Sequence, residues 1–423
     1  MRFAIIGSGI AGLSCAWKLA PRAEVHLYEA GSTLGGHTAT VDVELDGQHW
    51  AIDTGFIVFN DRTYPRFQGF LAELGLEGRP TEMSFSVRNS RTGLEYNGHT
   101  LSSLFAQRSN LLKPSFYRFL AEIVRFNRCG KQWLTQQQEQ EQGSLDEFLT
   151  AQGFSEFFAR HYILPMGAAI WSVSLSEMRR MPLTQFLNFF HHHGLLDLTQ
   201  RPQWYVVPGG SREYIRRMMQ LIGQQMQVYL DTPVTRITRD PDGVTLESPR
   251  GVERYDQVIF ACHSDQALQL LGDASPQESE MLAGVPYRAN EVVLHTDTRL
   301  LPHNRAAWAS WNYRLDDEAN DSEQQGASVT YNMNILQGIQ SPHTFCVSLN
   351  PTQPIDPARV LRRFEYHHPQ FGPHALHTQQ QRLLLNGNNR TWFCGAWSYN
   401  GFHEDGIRSA LDVTTAMDQA GLL

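Results

Sequence analysis

The sequence predicts an α/β fold with two lobes, one of them built around a buried parallel sheet. Residues 3–6 form a short apolar run without polar alternation, which is typical of a parallel strand covered on both faces. A glycine-rich turn and a helical pattern follow directly, and short strand and helix patterns recur afterwards. The length of 423 residues exceeds one typical domain, so we expect two lobes.

The first turn has the spacing G-x-G-x-x-G at Gly7, Gly9 and Gly12. The first glycine allows a tight turn, the second lets the backbone approach a pyrophosphate, and the third lets the helix pack against the strand. Glu29 ends the second strand roughly 20 residues later, where an acidic side chain binds a ribose hydroxyl. These features predict a dinucleotide site. A glycine-rich turn that binds nothing would explain the glycines but not Glu29.

Charge and composition exclude several classes of protein. A formal net charge of −8 gives no reason to expect nucleic-acid binding. No apolar run is long enough to span a bilayer, and the N-terminus enters a strand without a secretory signal. The five cysteines are scattered and form no C-x-x-C pair, so we expect a cytoplasmic protein with reduced thiols and no metal site.

A second glycine pair, Gly35-Gly36, lies just past Glu29 in "EAGSTLGGHTAT". This segment resembles the FAD fingerprint of the flavin amine oxidase, protoporphyrinogen oxidase and carotenoid desaturase superfamily. The family usually has an arginine next, near the pyrophosphate, whereas His37 stands here. Backbone amides and the helix end would then meet the phosphate charge. The motifs "GGHT", "DTGFIVFN" and "GFHEDGIRSA" resemble a bacterial subfamily of amine-oxidase-like proteins without an assigned substrate.

The resemblance continues in three later segments. In "DTGFIVFN", Gly55 and Phe56 would lie near the isoalloxazine, although an ordinary turn is the alternative. In "TPVTRI", the backbone of Val234 would meet the adenine. Residues 391–417 resemble the closing signature, in which the amides of Gly406 and Ile407 would face flavin N1 and O2 and stabilise negative charge there. The aromatic loop has no cysteine, so the resemblance implies non-covalent FAD.

The resemblance implies a Rossmann-like FAD-binding domain at residues 1–80, 205–285 and 386–423. It also implies a discontinuous α+β substrate domain at residues 81–204 and 286–385. The expected cofactor-binding residues lie in the glycine motifs, at the strand ends and at the last helix. They are Gly7, Ser8, Gly9, Ile10, Ala11, Gly12, Glu29, Ala30, Gly35, Gly36, His37, Thr38, Gly55, Phe56, Val234, Gly395, Asp405, Gly406 and Ile407.

The middle of the chain predicts a substrate cavity with a helical wall. Residues 157–196 are very apolar and mostly helical in pattern, and Trp171 and Trp311 are our aromatic cavity candidates. Strand patterns after residue 286 predict an antiparallel sheet beneath the cavity, and residues 359–371 are interpreted as a charged surface helix or loop. "FSVRNSRTGLEYNGHTL" predicts a hairpin, and Ser144 with Glu147 predicts a capped helix start.

Residues 101–134 combine apolar positions with six basic side chains and one acid, Glu122. Such a basic amphipathic segment can contact a membrane surface, which would make the protein peripheral on the inner membrane face. The alternative is a helix pair that packs its apolar stripe on the body and leaves a solvated basic face.

Polar candidates for catalysis are Tyr399, His403 and Glu404. The alternative is that Glu404 and Asp405 cap the last helix and His403 packs beside them. His191, His192 and His193 do not predict a metal site, because adjacent helical side chains point in different directions. Amine oxidases of the family place a lysine beside flavin N5, but residues 288–291 are Arg, Ala, Asn and Glu, and no lysine follows Lys131.

The leading hypothesis is therefore an FAD oxidoreductase that takes a hydride from a hydrophobic substrate, possibly desaturating an acyl lipid. A flavin amine oxidase that forms imine and peroxide, and a redox-neutral flavin-dependent isomerase, are the alternatives. The sequence leaves both oxygen and a quinone open as the electron acceptor.

Overall fold

The computed structural model describes residues 1–136, 143–199, 201–316, 326–372 and 375–423. The strands are, in chain order, β1 Arg2–Ile6, β2 Glu24–Tyr28, β3 Thr40–Leu45, β4 Gln48–Asp53, β5 Val58–Asn60, β6 Arg79–Thr81, β7 Phe85–Asn89, β8 Glu95–Asn97, β9 Trp204–Val206, β10 Gln227–Tyr229, β11 Arg236–Asp240, β12 Gly243–Ser248, β13 Gly251–Tyr255, β14 Gln257–Phe260, β15 Tyr287–His295, β16 Trp311–Leu315, β17 Val329–Asn332, β18 Cys346–Leu349, β19 Val360–Pro369 and β20 Thr391–Phe393.

The helices are α1 Ile10–Leu19, α2 Pro65–Glu73, α3 Leu101–Leu104, α4 Pro114–Thr135, α5 Leu145–Ala151, α6 Glu156–Phe158, α7 Leu164–Trp171, α8 Leu175–Arg179, α9 Leu183–His192, α10 Arg212–Ile222, α11 Ser264–Leu270, α12 Pro276–Ala283, α13 Met333–Leu336, α14 Ala375–Leu385 and α15 His403–Gln419. A π-helical turn at Ala159–Ile163 joins α6 to α7. Short 3₁₀ segments include Arg108–Leu112, before α4, and Ala396–Ser398, before α15.

The nucleotide sheet is the five-stranded sheet at the centre of the first lobe, in the order β10-β2-β1-β14-β20. Its pairings are all parallel, and Phe3 to Ile6 of β1 are buried, as the apolar run predicts. Helices α1 and α15 pack together beside it. All five strands come from the three segments assigned to the FAD-binding domain, while the exact domain boundaries stay a prediction.

The second lobe contains a seven-stranded sheet, in the order β19-β15-β18-β17-β16-β7-β8. The predicted hairpin is confirmed as β7 and β8. The predicted antiparallel sheet after residue 286 is confirmed as well, since β15 to β19 pair only in antiparallel fashion with one another, and β7 then joins that sheet by pairing with β16 in parallel. Residues 360–369 are an edge strand rather than a helix or loop. From Arg363 to His368 exposed and partly buried residues alternate, so the charges occupy the solvated face of that strand.

The helical wall consists of the helices from α3 to α9, and it packs against strands β7, β16 and β17 of the seven-stranded sheet. In α4, Phe116, Phe119 and Phe126 are buried in its core. The predicted capping box is confirmed, since Ser144 accepts a hydrogen bond from the Glu147 amide at 3.2 Å and Glu147 accepts one from the Ser144 amide at 2.9 Å. Within the described residues, none of the helices is both long and apolar enough to cross a membrane.

Candidate active site

A cavity of about 1160 Å³ lies between the nucleotide sheet, the helical wall and the seven-stranded sheet, and it is open to solvent on one side. Small-molecule sites usually measure roughly 300–1000 Å³, so this cavity has room for a large cofactor together with a second molecule. Residues of the glycine turn line it together with Trp171 of α7 and Trp311 of β16. The predicted nucleotide site and the predicted substrate cavity are therefore one continuous space.

The glycine turn after β1 is shaped by close backbone contacts. Gly7 has a φ of +99°, and a Cβ on Gly12 would lie 2.0 Å from the carbonyl oxygen of Gly7. A Cβ on Gly9, in contrast, would meet no atom within 4 Å, because Gly9 borders the cavity. Helix α1 starts there without a capping side chain or an acidic residue in its first turn. Its first amides therefore offer a site for an anion.

Glu29 lies at the carboxyl end of β2 and borders the same cavity. Its carboxylate accepts hydrogen bonds from the Ser8 amide at 3.0 Å and from the Gly31 amide at 2.8 Å. The Ser8 hydroxyl donates to it as well. These donors fix the carboxylate beside the glycine turn, and its remaining lone pairs can accept a ribose hydroxyl.

The segments around Gly36 and Gly55 are held against one another. The Phe56 amide donates to the carbonyl of His37 at 2.7 Å, and a Cβ on Gly55 would lie 2.1 Å from that oxygen. The ring of Phe56 stacks on His403 at a centroid distance of 3.7 Å and an interplanar angle of 7°. The N-terminal fingerprint and the start of α15 therefore meet at one point of the cavity wall.

Three histidines gather on this wall. The ring of His37 lies 6.2 Å from that of His263 and 5.5 Å from that of His368. Burial lowers the pKa of His37 to about 4 and that of both His263 and His368 to about 3, so all three are neutral at pH 7. His37 Nε2 is buried and has no hydrogen-bond partner among the described residues.

The residues present fit a dinucleotide cofactor. The uncapped start of α1, the open space at Gly9 and the unpartnered His37 nitrogen lie on the wall of one cavity. Of the expected cofactor residues, Gly7, Ser8, Gly9, Ile10, Ala11, Glu29, Ala30, Gly35, Gly36, His37, Gly55, Phe56, Val234 and Gly395 line the cavity. Gly12 and Thr38 lie behind that lining, where Thr38 bonds the hydroxyl of Tyr214 at 2.6 Å.

The first turn of α15 is set back from the cavity. A Cβ on Gly406 would lie 2.6 Å from Ile10 Cγ2, so α15 abuts the start of α1. Asp405 accepts a hydrogen bond from the Phe402 amide at 2.9 Å, and burial raises the pKa of Asp405 to about 7. Asn400 to His403 line the cavity in front of it. Contacts of Asp405, Gly406 and Ile407 with a flavin stay a prediction.

Only one of the three predicted catalytic residues, His403, lines the cavity. Tyr399 donates its hydroxyl proton to Asp412 at 2.6 Å and lies under the guanidinium of Arg408. Glu404 accepts hydrogen bonds from the amides of Arg66 at 3.1 Å and Phe67 at 2.9 Å, at the start of α2. Glu404 therefore caps α2, which is distant in sequence, whereas Asp405 caps its own helix through the Phe402 amide, as the alternative expected for both acids.

The substrate part of the cavity is apolar. Trp171 packs against Phe189 at a centroid distance of 4.6 Å, and the indole nitrogens of Trp171 and Trp311 are buried without a partner among the described residues. The helical wall and the loop after it contribute aliphatic and aromatic side chains: Leu101, Leu104, Leu120, Ile123, Val124, Tyr162, Met166, Ile170, Phe189, Leu195 and Leu198. In this stretch, Arg201 is the one lining residue charged at neutral pH among those described.

His193 is the polar side chain that sequence reasoning missed. It lines the cavity directly after α9, its Nδ1 donates to the Phe189 carbonyl at 3.0 Å, and its ring stacks on Phe189 at 3.8 Å. Burial lowers the pKa of His193 to about 4, so the ring is neutral and Nε2 keeps its lone pair. The sequence feature that could have identified His193 is its spacing of four residues from Phe189, which places both side chains on one helix face.

The other two histidines of the triplet point elsewhere. His191 and His192 are exposed, and in the part of the chain that the structure describes no group of three or more potential ligands could hold a metal ion.

No ammonium or guanidinium group takes the place of the missing lysine on β15. Arg288 is bound by both carboxylate oxygens of Glu177, and Asn290 accepts a hydrogen bond from Asn350 at 2.8 Å. Neither side chain lines the cavity, whereas Val292 of the same strand does.

Comparison with known proteins places this geometry in a family. Residues 10–336 match the family model of flavin-containing amine oxidoreductases. Cyclohexylamine oxidase from Brevibacterium oxydans IH-35A has a similar structure, with a TM-score of 0.70 and 16% sequence identity over 100% of this chain and 99% of that one. No curated protein matches the sequence.

Two further solved structures are similar to this chain. A fatty acid isomerase from P. acnes that produces CLA gives a TM-score of 0.68 at 15% identity, over 98% of both chains. A putative protoporphyrinogen oxidase from Exiguobacterium sp. 255-15 gives 0.66 at 17% identity, over 100% of this chain and 98% of that one. At these identities, the likenesses show a shared fold.

Proposed function

The chain belongs to the family of flavin-containing amine oxidoreductases, and on that premise we propose that it binds FAD without a covalent bond and removes a hydride from the carbon chain of an acyl lipid. Flavin-dependent redox chemistry follows from the family. The proposal concerns three further points: that the flavin is FAD, that it is not covalently attached, and that the substrate is an acyl lipid.

Several features support FAD. The glycine turn, the open start of α1 and Glu29 suit the diphosphate and ribose of a dinucleotide. Ser398 and Tyr399 stand in the aromatic loop where a covalent attachment would need a cysteine. His37 follows Gly36, which lies against Gly9, and its neutral ring can donate an N–H toward a phosphate oxygen from the position of the missing arginine.

The observation that carries the substrate proposal is the lining contributed by residues 101–204. It is aliphatic and aromatic, and no described residue in it has a carboxylate that could pair with a charged amine. Arg201, its one charged residue, is exposed and suits a carboxylate or phosphate head group. An acyl chain satisfies both features, whereas a diamine would have to pair with Glu365 of β19, an exposed carboxylate that borders the cavity from the seven-stranded sheet.

The protein's role in the reaction is alignment, exclusion of water and acceptance of a proton. A bound flavin supplies the two-electron acceptor for the hydride. One C–H bond of the chain breaks with loss of a hydride, the neighbouring C–H bond breaks with loss of a proton, and the electron pair of that second bond forms the new double bond. His193 lines the cavity, and its Nε2, the ring nitrogen that is not bonded to Phe189, can accept the proton.

A redox-neutral isomerase is the second candidate. The fatty acid isomerase from P. acnes has the same fold, and the apolar cavity here would also hold an unsaturated chain. An amine oxidase is the weaker alternative, because Arg288 is paired with Glu177 outside the cavity and no lysine lies on that strand.

The experiment that tests the proposal is an anaerobic titration of the purified flavoprotein with saturated and unsaturated acyl lipids and, in parallel, with primary and secondary amines. Bleaching of the flavin absorbance by acyl lipids alone is the expected result. Bleaching by amines alone would overturn the substrate proposal. The cofactor itself is identified by mass after release in acid, which also tests whether it is covalently attached.

A further inference from the structure

Large apolar side chains are exposed where the cavity opens to solvent. Leu101, Val124 and Leu198 line the cavity, and 78%, 42% and 55% of their surfaces are exposed. Leu112 and Tyr117 lie on the adjoining segments and are 87% and 49% exposed. We call these five residues the mouth surface.

Helix α4 separates a buried face from an exposed one. Phe116, Phe119 and Phe126 point into the core of the helical wall, whereas Tyr117 and Val124 share the outer face with Arg128. Tyr117 is fixed to the preceding segment, since its hydroxyl donates to the Leu111 carbonyl at 2.9 Å. The exposed apolar groups are therefore held in place by the fold.

Three arginines without an acidic partner lie on the segment that contributes most of the mouth surface, although the protein as a whole carries a net charge of −8. Arg108, Arg118 and Arg128 are exposed and have no acidic partner within salt-bridge distance among the described residues. The one acid of residues 101–134, Glu122, is buried and accepts hydrogen bonds from the amide and hydroxyl of Ser155. Exposed apolar side chains together with arginines that have no acidic partner are typical of a surface that binds anionic lipid.

We propose that the mouth surface docks on a bilayer containing anionic phospholipid, so that its leucines enter the acyl boundary while the arginines bind head groups. A substrate chain could then pass from the bilayer into the cavity without crossing water. This second step depends on the proposed lipid substrate, whereas the docking itself does not. A second copy of the chain is a less suitable occupant, because a two-fold contact would bring like charges together.

The test is sedimentation of the full-length flavoprotein with vesicles, without turnover. Vesicles of phosphatidylcholine mixed with phosphatidylglycerol are expected to bind the protein at low salt, and vesicles of phosphatidylcholine alone should bind it far less. The partition coefficient onto the anionic vesicles should fall roughly 100-fold in the variant R108Q/R118Q/R128Q. It should fall at least about tenfold in L101S/L112S. Failure of the wild type to bind the anionic vesicles at low salt would overturn the proposal.

The matched control is L376S/L384S on α14, where the two leucines are 65% and 71% exposed. It should bind like the wild type; equal losses in the control and in L101S/L112S would contradict the docking surface. A dimer in analytical ultracentrifugation that L101S/L112S dissociates would also overturn the proposal in favour of a second copy. Anaerobic bleaching by a soluble short-chain acyl substrate tests the proposed function separately, because it needs no vesicles.

Discussion

His193 is fixed against Phe189 by two contacts at once: its Nδ1 donates to the Phe189 carbonyl at 3.0 Å, and the two rings stack at 3.8 Å. This pairing leaves Nε2 as the hydrogen-bond acceptor of a ring that borders the cavity. A partly buried neutral imidazole in that position has a lone pair that can accept a proton from a carbon chain.

Replacement of His193 by Gln is expected to slow anaerobic flavin reduction by about 10²–10⁴-fold, because an amide cannot accept the proton. Stopped-flow measurement of flavin absorbance at saturating substrate gives this rate. The matched control is His192→Gln at the exposed neighbour, which should reduce at the wild-type rate. Equal rates in His193→Gln and the wild type would exclude His193 as the proton acceptor.

The same residue predicts a pH dependence of stability. The pKa of His193 is about 4 in the folded protein and about 6.5 in the unfolded chain, so between these values the unfolded chain binds more protons. Its contribution to the free energy of unfolding should therefore fall by up to about 2 kcal/mol between pH 7 and pH 5. Urea unfolding should show that difference between the wild type and His193→Gln; identical pH profiles would mean that the pKa of His193 is the same in the folded and the unfolded chain.

Gly9→Ala should weaken flavin binding by at least about tenfold while the protein stays folded. The new Cβ meets no protein atom within 4 Å, but it occupies the space in front of α1 that a pyrophosphate needs. Flavin content after purification and titration of the apoprotein measure the effect. Gly69→Ala in α2 is the same change in open space away from the cavity and should retain the flavin. If the Gly9→Ala variant retained all of its flavin, the diphosphate could not lie against Gly9.

Glu404→Ala is expected to lower stability rather than remove chemistry. Its carboxylate accepts hydrogen bonds from the amides of Arg66 and Phe67, so its loss leaves the start of α2 uncapped, at a cost of about 1–3 kcal/mol. Urea unfolding measures this change, and the exposed Glu280 replaced by Ala serves as the control. A large drop in the flavin reduction rate with unchanged stability would instead restore a catalytic role for Glu404.

Local patterns made much of the fold predictable. The buried strand, the glycine turn and α1 are contiguous, so their identity depends on neighbouring residues alone, and the same holds for the capping box of Ser144 and Glu147. Residues 360–369 were misjudged because arginine, glutamate and histidine dominate their composition. The alternation of exposed and partly buried residues, with Phe364 and Tyr366 partly buried, is the pattern that indicates a strand.

The parts of the site that the sequence did not reveal depend on tertiary contacts. Glu404 finds its partners in Arg66 and Phe67, more than 300 positions earlier in the chain, and no periodicity connects them. His191 and His192 are exposed, whereas His193, the next residue, lines the cavity because the turn after α9 directs its side chain there. The pairing of Arg288 with Glu177 likewise joins two segments that the sequence separates.

The most direct test of the proposed function is a single anaerobic turnover with an acyl lipid, followed by mass analysis of the lipid. We predict that the product lacks two hydrogens and contains one new double bond for each flavin bleached. A product of unchanged mass with a displaced double bond would identify an isomerase. If no acyl lipid bleaches the flavin while amines do, the hydride donor is an amine and the acyl-lipid account is contradicted.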